Sequence, residues 1–498
     1  MFYNENLPII DSKLMTLSIM DFMQGMSTIK DSELLPMYCA KMTYNYDYNS
    51  GVLKDGMGIG KLSWVNSDNI VREFPLPEGV TQVNGIWHFR RFGEDKQAFE
   101  SYLIIYGNDK KLYYAFLDSN INIFYEITGV VLDEVPDCIN YRLDGKDCLL
   151  ICSPKEGDGM AIWDGKNVPQ ITNEAPVITS ACVYAGRLFA TTGGDHSKLR
   201  FSDDLNPKNW NISNFEGGYI TLADERGGLN KLIEYNNYLY IIRDYGISRL
   251  YAFGDQSDFS IRNMYLSTGK IYSKSAVLCG YRIIMLCRDG LYAFDGLEAH
   301  KISIGLDKLF ENQDNEKAVG AFVNGKYYLA CRLNYADNKK VGCETVEYIN
   351  NTLIEYDIIN GNIKILRGVD ISVMNAVNTT EFSKLVVSLN NVKTDEVLEL
   401  NYGGEVLNVA TKKEWTSPLS DLGYPMRDKV IRKLIIDTAK DIKFKVYTED
   451  ETYEFKINGS KDTIEFPMDI KCKKFGFGIE SDNVGCEIKK PHIQMYVM

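Results

Sequence analysis

A short strand–turn–strand pattern recurs along most of this chain, and it limits the available folds more than any other feature. The clearest copy lies in residues 269–303, where three short apolar runs are separated by the turns Cys279-Gly280-Tyr281 and Arg288-Asp289-Gly290. Asp295-Gly296 closes the third run, and a further strand is expected near 299–303. Runs this short, rich in Ile, Leu, Val and Tyr, predict antiparallel strands joined by tight hairpins. A four-stranded sheet of about 35–45 residues has the size of one propeller blade.

Six more copies of the strand pair can be found along the chain. The second strands of the seven pairs end near residues 118, 164, 203, 254, 295, 357 and 401, so the steps are 46, 39, 51, 41, 62 and 44 residues. The mean step of about 47 residues lies in the range of propeller blades. The sixth copy is split by a loop with Asn338, Lys339 and Lys340, and a short helix is expected at 305–312. The predicted fold class is therefore all-β, with a propeller of about seven blades at 81–411, or six if the first or last copy belongs elsewhere.

The two ends of the chain do not follow this repeat. Residues 1–80 predict an extended N-terminal arm and a hairpin, which either straps the next module or serves in assembly. Residues 412–427 contain Ser, Pro and Gly and predict a linker. Residues 428–498 predict a small C-terminal β-sandwich, with strands at 430–437, 442–448, 452–457, 463–466, 475–479 and 492–497.

Charge and cysteine content narrow the function classes. The net charge is −13, and residues 412–498 hold 16 Lys and Arg against 15 Asp and Glu, so residues 1–411 carry −14. An acidic body argues against a protein that grips duplex DNA through basic stripes. Several of the 11 cysteines lie in apolar strands, which indicates reduced core residues and folding in a reducing cytoplasm. The chain has no apolar run of 18 residues and no evident signal peptide, so neither a membrane span nor secretion is predicted.

The motifs that suggest chemistry are better explained as turns and packing. Residues 202–210 are similar to the Asp-box turn of sialidase-like propellers, but the glycine is missing and the spacing is longer. The acidic residues 449–451 lack the spacing of a calcium loop, no CxxC pair is present, and the four histidines are scattered. His88 lies in a strand without an accompanying nucleophile motif. We predict no catalytic residues, no metal site and no cofactor.

The order of these features resembles a family of virion proteins. The arm leads to Asn45-Tyr-Asp-Tyr-Asn-Ser-Gly-Val-Leu-Lys-Asp-Gly56, and the blades contain residues 199–210 and Ser267-Thr-Gly-Lys-Ile-Tyr-Ser-Lys-Ser275 before a C-terminal β-module. This looks like the propeller-bearing tail-hub or packaged-DNA stabilisation proteins at the head–tail junction of tailed bacteriophages. The resemblance implies a ring of subunits, six in the best-known members, that continues the DNA channel and anchors fibres or spikes. It also implies portal, adaptor or tail-tube partners, passage of double-stranded DNA without sequence-specific binding, and a place in the virion after assembly in the bacterial cytoplasm.

The leading hypothesis is therefore a non-enzymatic structural virion protein. The alternatives are a propeller that binds cell-surface glycan through exposed Tyr and Trp and, behind it, a glycosidase. For assembly contacts we predict the 1–40 arm and five linker residues, namely Trp415, Pro418, Tyr424, Pro425 and Arg427. An internal contact between the two modules is the competing interpretation of Trp415.

Overall fold

The computed structural model of the chain describes residues 13–19, 21–22, 25–27, 35–65, 69–93, 97–118, 121–213, 217–335, 348–390 and 392–498. Within these ranges the regular secondary structure is almost entirely β-strand. Seven short strands precede the propeller: β1 (Lys13–Ser18), β2 (Met42–Tyr44), β3 (Tyr46–Asp47), β4 (Lys54–Asp55), β5 (Gly58–Lys61), β6 (Ser63–Val65) and β7 (Val71–Glu73).

The chain then forms six consecutive four-stranded antiparallel blades, each a simple meander. Blade 1 contains β8 (Val83–Gly93), β9 (Ala98–Gly107), β10 (Leu112–Phe116) and β11 (Phe124–Glu126); blade 2 contains β12 (Asp137–Leu143), β13 (Lys146–Cys152), β14 (Met160–Trp163) and β15 (Gln170–Thr172). Blade 3 contains β16 (Ile178–Tyr184), β17 (Arg187–Thr192), β18 (Lys198–Phe201) and β19 (Gly218–Thr221); blade 4 contains β20 (Leu229–Tyr235), β21 (Tyr238–Arg243), β22 (Gly246–Tyr251) and β23 (Ser260–Leu266). Blade 5 contains β24 (Ile271–Cys279), β25 (Arg282–Cys287), β26 (Gly290–Phe294) and β27 (Ala299–Lys301); blade 6 contains β28 (Val319–Val323), β29 (Lys326–Cys331), β30 (Thr352–Asp357) and β31 (Ile363–Arg367).

The seventh blade is completed by a strand from the start of the chain. It consists of β32 (Ile371–Asn378), β33 (Ser383–Leu389) and β34 (Leu398–Asn401), and β5 pairs antiparallel with β34 as the fourth strand. The hairpin β35 (Glu405–Val406) and β36 (Val409–Ala410) extends the same sheet beyond β5. The inner strand β32 packs beside β8, and the Asn375 amide donates to the Ile86 carbonyl at 2.8 Å. Blade 7 thus meets blade 1, and the seven sheets form a closed β-propeller.

Burial explains why the second strand of each blade is so conspicuous in the sequence. The second strand of every blade is almost continuously buried along its length; these strands are β9, β13, β17, β21, β25, β29 and β33. A blade is covered on both faces by its neighbours, so its second strand must be apolar at successive positions and not only at alternate ones. The third strand of each blade ends within three residues of the position expected from the sequence, which confirms the propeller and the count of seven.

The C-terminal module is a sandwich of two antiparallel sheets. The remaining strands are β37 (Lys413–Thr416), β38 (Lys429–Thr438), β39 (Ile442–Thr448), β40 (Thr452–Ile457), β41 (Ile464–Cys472), β42 (Phe475–Ser481) and β43 (Ile488–Val497). One sheet has the order β1-β43-β38-β41 and the other the order β2-β37-β42-β39-β40. The core between them includes Ile431, Phe444, Phe477 and Ile493.

The structure differs from the predicted organisation at two places. The expected arm of residues 1–80 supplies strands to both modules, because β1 and β2 pair with β43 and β37 while β5 completes blade 7. The expected linker of 412–427 contains β37, which lies between β2 and β42 in the sandwich. The expected helix is present as α1 (Asp307–Phe310). The predicted loop with Asn338, Lys339 and Lys340 lies outside the described residues, as do most positions of the 1–40 arm.

Candidate functional site

Two of the five predicted assembly residues are buried inside the chain. The Trp415 side chain is 1% exposed and packs against Phe22 and Phe477, with ring centroids 5.1 Å apart in both pairs. Pro418 is also buried, and its carbonyl accepts a hydrogen bond from the Ser417 hydroxyl at 3.0 Å. Side chains enclosed in this way offer no surface to another subunit, so the prediction of external contacts through Trp415 and Pro418 is corrected.

The other three predicted residues lie together at an exposed bend. Pro425 and Arg427 are exposed, and Tyr424 is half-buried beneath the Arg427 guanidinium, which lies 5.9 Å from the ring centroid. Met426 between them is 91% exposed. The buried Lys429 ammonium stabilises the bend by donating a hydrogen bond to the Tyr424 carbonyl at 2.9 Å. We call residues 424–427 the sandwich tip. Met426 is missing from the sequence prediction, because no local pattern separates an exposed methionine from a core methionine.

The two modules meet at a buried asparagine. Asn45 is in the left-handed region with φ 62°, and its backbone N–H donates to the Ile365 carbonyl of blade 6 at 2.8 Å. Its side-chain amide donates to the Lys412 carbonyl at 2.7 Å and to the Arg367 carbonyl at 3.3 Å, while its oxygen accepts from the Arg367 N–H at 2.7 Å. Asn45 therefore joins the segment before β37 to the outer strand of blade 6.

A buried charged cluster lies next to this junction. Glu355 of β30 is fully enclosed and forms an ion pair with Lys326 at 3.0 Å and with Lys364 at 3.5 Å. Lys364 also contacts Asp47 of β3 at 2.7 Å, and the Tyr402 hydroxyl donates to Glu355. Separating the partners of a buried ion pair leaves a buried charge without compensation, which is costly. Because Asp47 and Glu355 share Lys364, the cluster opposes movement of one module relative to the other.

An open cavity of about 510 Å³ lies among the inner strands of the propeller. Inner strands of blades 1, 4, 5, 6 and 7 line it, and its charged lining groups are Lys231 and Lys274. The Lys231 ammonium donates to the Ala276 carbonyl at 2.7 Å, and burial lowers the pKa of Lys231 to about 8. Burial also lowers the pKa of Lys274, with a further contribution from Lys317. The cavity has the volume of a small-molecule pocket and is far too small to hold a DNA duplex.

The sequence motifs that were considered as catalytic or metal-binding sites have structural roles in the fold. Trp210 is buried between blades 2 and 3 and its indole N–H donates to the Pro207 carbonyl at 2.8 Å, so residues 202–210 form a turn closed by packing. The Glu449 carboxylate accepts from the Lys473 and Lys474 backbone N–H groups at 2.6 and 2.9 Å. Burial, with Arg90 nearby, lowers the pKa of His88 to about 4.

The described part of the chain holds neither a metal-binding cluster nor a membrane-spanning helix. No group of three or more His, Cys, Asp or Glu side chains lies close enough together to hold a metal ion. No helix there is long and apolar enough to cross a membrane. The ten cysteines in the same ranges are all free.

Comparison with known proteins adds little to this geometry. No family model and no curated protein matches the chain. Among solved structures, one similar chain is described as BBS1N in complex with ARL6DN, with 14% identity and a TM-score of 0.35 over 59% of this chain and 91% of that one. Another is Hsv2 of Kluyveromyces lactis, with 10% identity and a TM-score of 0.35 over 64% of this chain and 93% of that one. The propeller assignment rests on the sheet topology described above.

Proposed function

We propose that this chain is a non-enzymatic structural protein of a tailed-phage virion, assembling with copies of itself into a ring at the head–tail junction or tail hub. The observation that carries the proposal is that the early strands β1 and β2 belong to the sandwich while β5 belongs to blade 7. This stitching, together with Asn45 and the Glu355 cluster, holds two modules in one fixed orientation. A fixed orientation is what a subunit needs if identical contacts are to repeat around a closed ring.

The proposed DNA path runs between subunits and not through a propeller. The cavity of about 510 Å³ among the inner strands is of small-molecule size. The body of the chain carries −14 at residues 1–411, by the count given above. An acidic wall repels phosphate, which suits a passage that DNA must cross without being held.

The sandwich tip is the proposed contact between subunits. It combines an exposed methionine, proline and arginine with a half-buried tyrosine, and Tyr, Met and Arg are enriched in the centres of protein interfaces. Portal, adaptor or tail-tube proteins and fibres or spikes are the proposed further partners.

The test is electron microscopy and mass photometry of the purified protein, together with mass spectrometry of phage particles. We expect rings of uniform size and the protein in the particles. The variant Met426→Asp should weaken ring formation at least tenfold, whereas Ile359→Asp, at a position 87% exposed on blade 6, should not. A chain that stays monomeric at all concentrations and never enters particles contradicts the proposal.

Glycan recognition ranks second because of where the tryptophans lie. Trp64, Trp163, Trp210 and Trp415 are buried, so four of the five indole rings have no face for a sugar, and the partly exposed Trp87 lines the cavity among the inner strands. A glycan array read with the intact protein separates the two functions. Specific hits together with a strictly monomeric protein would favour the glycan-binding function.

A further inference from the structure

A groove on the outer part of blade 4 has an unusual composition for an acidic protein. It encloses about 270 Å³ and is lined by Tyr238, Arg249, Tyr251, Ser260 and Arg262. Its volume lies just below the usual range of small-molecule pockets, about 300–1,000 Å³. A site of this size suits single side chains of a longer ligand.

The two arginines face each other across adjacent strands. Arg249 of β22 and Arg262 of β23 are directly opposite in the antiparallel register. Like charges in this position destabilise a sheet. Within the described ranges neither guanidinium has an ion-pair partner. The Asp224 carboxylate, which binds the Asn263 amide on the other face of the sheet, pairs with Arg243 at 2.8 Å. Asp255 and Asp258 lie at the 3-10 turn before β23 and form no ion pair with either arginine.

Aromatic rings continue the groove. The Arg249 guanidinium lies 4.1 Å from the Tyr238 ring centroid, a cation–π contact that holds its charge over the groove. Tyr251 lies 6.1 Å from Tyr238 and 5.4 Å from Phe253, and both Tyr251 and Phe253 are partly exposed. Arginine next to exposed tyrosine is the composition of interface hot spots.

The strand that borders the groove is also the longest outer strand of the first six blades. β23 has seven residues, whereas the outer strands of the other five have three to five. It pairs with β22 on one side, and on its other side residues 260–266 make no backbone hydrogen bond to any described residue. A long edge strand without a partner is a template on which another strand can pair.

We propose that an extended acidic peptide segment of a partner protein adds to β23 as a fifth strand of blade 4 and places carboxylates against Arg249 and Arg262. Side chains alternate between the two faces of a strand, so acidic residues at every second position would face the groove. The intervening residues would lie beside Ile261, which packs on the blade 3 side. The backbone of the added strand forms main-chain hydrogen bonds with β23. The two guanidinium groups make the site selective for carboxylates, because each can donate two parallel N–H hydrogen bonds to one carboxylate.

The test uses a fluorescent peptide that alternates glutamate with valine, titrated with the intact protein and followed by anisotropy. We expect saturable binding that weakens with salt, and at least a tenfold loss of affinity in Arg249→Glu and Arg262→Glu. Arg288→Glu, at an exposed turn of blade 5, is the matched control and should bind as the wild type does. Equal binding by all three variants, or no binding by the wild type, overturns the proposal.

Two further measurements separate strand addition from simple charge attraction. A peptide with the same side chains but alternate N-methylated amides should lose binding, because it cannot pair with β23; undiminished binding overturns strand addition. A polyuronate that binds where the peptide does not overturns the choice of a peptide ligand. The melting temperature of Arg262→Glu should equal or exceed that of the wild type, since the substitution turns a repulsive pair into an attractive one, and a fall of several degrees contradicts this account.

Discussion

Trp415 illustrates how one side chain can have a role that its sequence neighbourhood hides. It lies among Ser, Pro and Gly, which indicates a linker, yet its ring fills the sandwich core between Phe22 and Phe477. The contact with Phe22 joins residues almost 400 positions apart in the chain. Local composition therefore predicts a linker at a position where the tertiary structure has a buried core residue.

The Trp415→Ala substitution should destabilise the protein by about 3–5 kcal/mol, the usual cost of emptying a buried aromatic site. Urea unfolding followed by circular dichroism measures the change. Met426→Ala is the matched control in the same segment, and its effect should stay within about 0.5 kcal/mol because the side chain is exposed. Equal effects of the two substitutions contradict the buried position of Trp415.

The buried carboxylate of Glu480 makes a pH-dependent contribution to the free energy of unfolding. Burial opposes its charge, but Lys445 and Lys412 outweigh that effect and hold the pKa of Glu480 below its ordinary value of 4.5. The unfolded chain therefore binds more protons just below pH 4.5, and the stability contributed by this carboxylate is lost as pH falls through that region.

Glu480→Gln should accordingly be less stable than the wild type at pH 7, and the gap should shrink as pH falls below 4.5. Urea midpoints at pH 7, 5 and 3 measure it. Glu465→Gln removes an exposed carboxylate that pairs with Lys433 at 2.8 Å, and it should show almost no gap at any pH. A gap for Glu480→Gln that stays constant with pH contradicts the assigned cause.

At the scale of elements, the closure of blade 7 depends on a strand with two glycines. A Cβ atom added at Gly58 would lie 2.4 Å from the Glu405 carbonyl oxygen, so the backbone of β5 or of β35 must shift to admit it. Gly403 is the contrasting site, where an added Cβ would lie 3.4 Å from the Asn401 side chain. The small residue in β5 therefore allows the close approach of two strands.

Gly58→Ala should lower the melting temperature by several degrees and increase amide exchange in β34, whereas Gly403→Ala should leave both nearly unchanged. Differential scanning calorimetry and hydrogen exchange read by mass spectrometry provide the measurements. If exchange in β34 is the same in the two variants, β5 is not what closes the ring.

Much of the propeller could be predicted from sequence, because the second strand of each blade is buried on both faces and so forms a continuous apolar run such as Leu103-Ile104-Ile105. The outer strands could not be predicted in the same way. Several have only three residues and one exposed face, so neither length nor periodicity marks them. β5 is harder still, since Gly58–Lys61 lacks β-branched residues except Ile59 and its partner lies more than 300 positions away. Pairing at such a distance leaves no local signal.

Of the two candidate surfaces, one is visible in the local sequence and the other is not. The sandwich tip was found because Tyr424, Pro425 and Arg427 stand in a Pro- and Gly-bearing segment, which is typical of exposed chain. The groove beside β23 was missed, because Arg249 and Arg262 become neighbours only through the register of β22 with β23.

For the whole molecule, the central question is whether propeller and sandwich unfold together. Asn45 makes three side-chain hydrogen bonds that span Arg367 of blade 6 and Lys412 at the entry to β37. Its backbone has φ 62°, which asparagine tolerates better than alanine does. Loss of the Asn45 side chain therefore removes hydrogen bonds to both modules at once.

We expect one calorimetric transition for the wild type and two for Asn45→Ala, with a loss of about 3 kcal/mol from three buried hydrogen bonds. Asn69→Ala is the matched control, because Asn69 also has a positive φ of 59° but is exposed. It should cost about 1 kcal/mol of backbone strain and keep a single transition. A single transition in Asn45→Ala would mean that the shared strands and the Glu355 cluster couple the modules without the asparagine, and that the fixed subunit geometry needed for a ring does not depend on it.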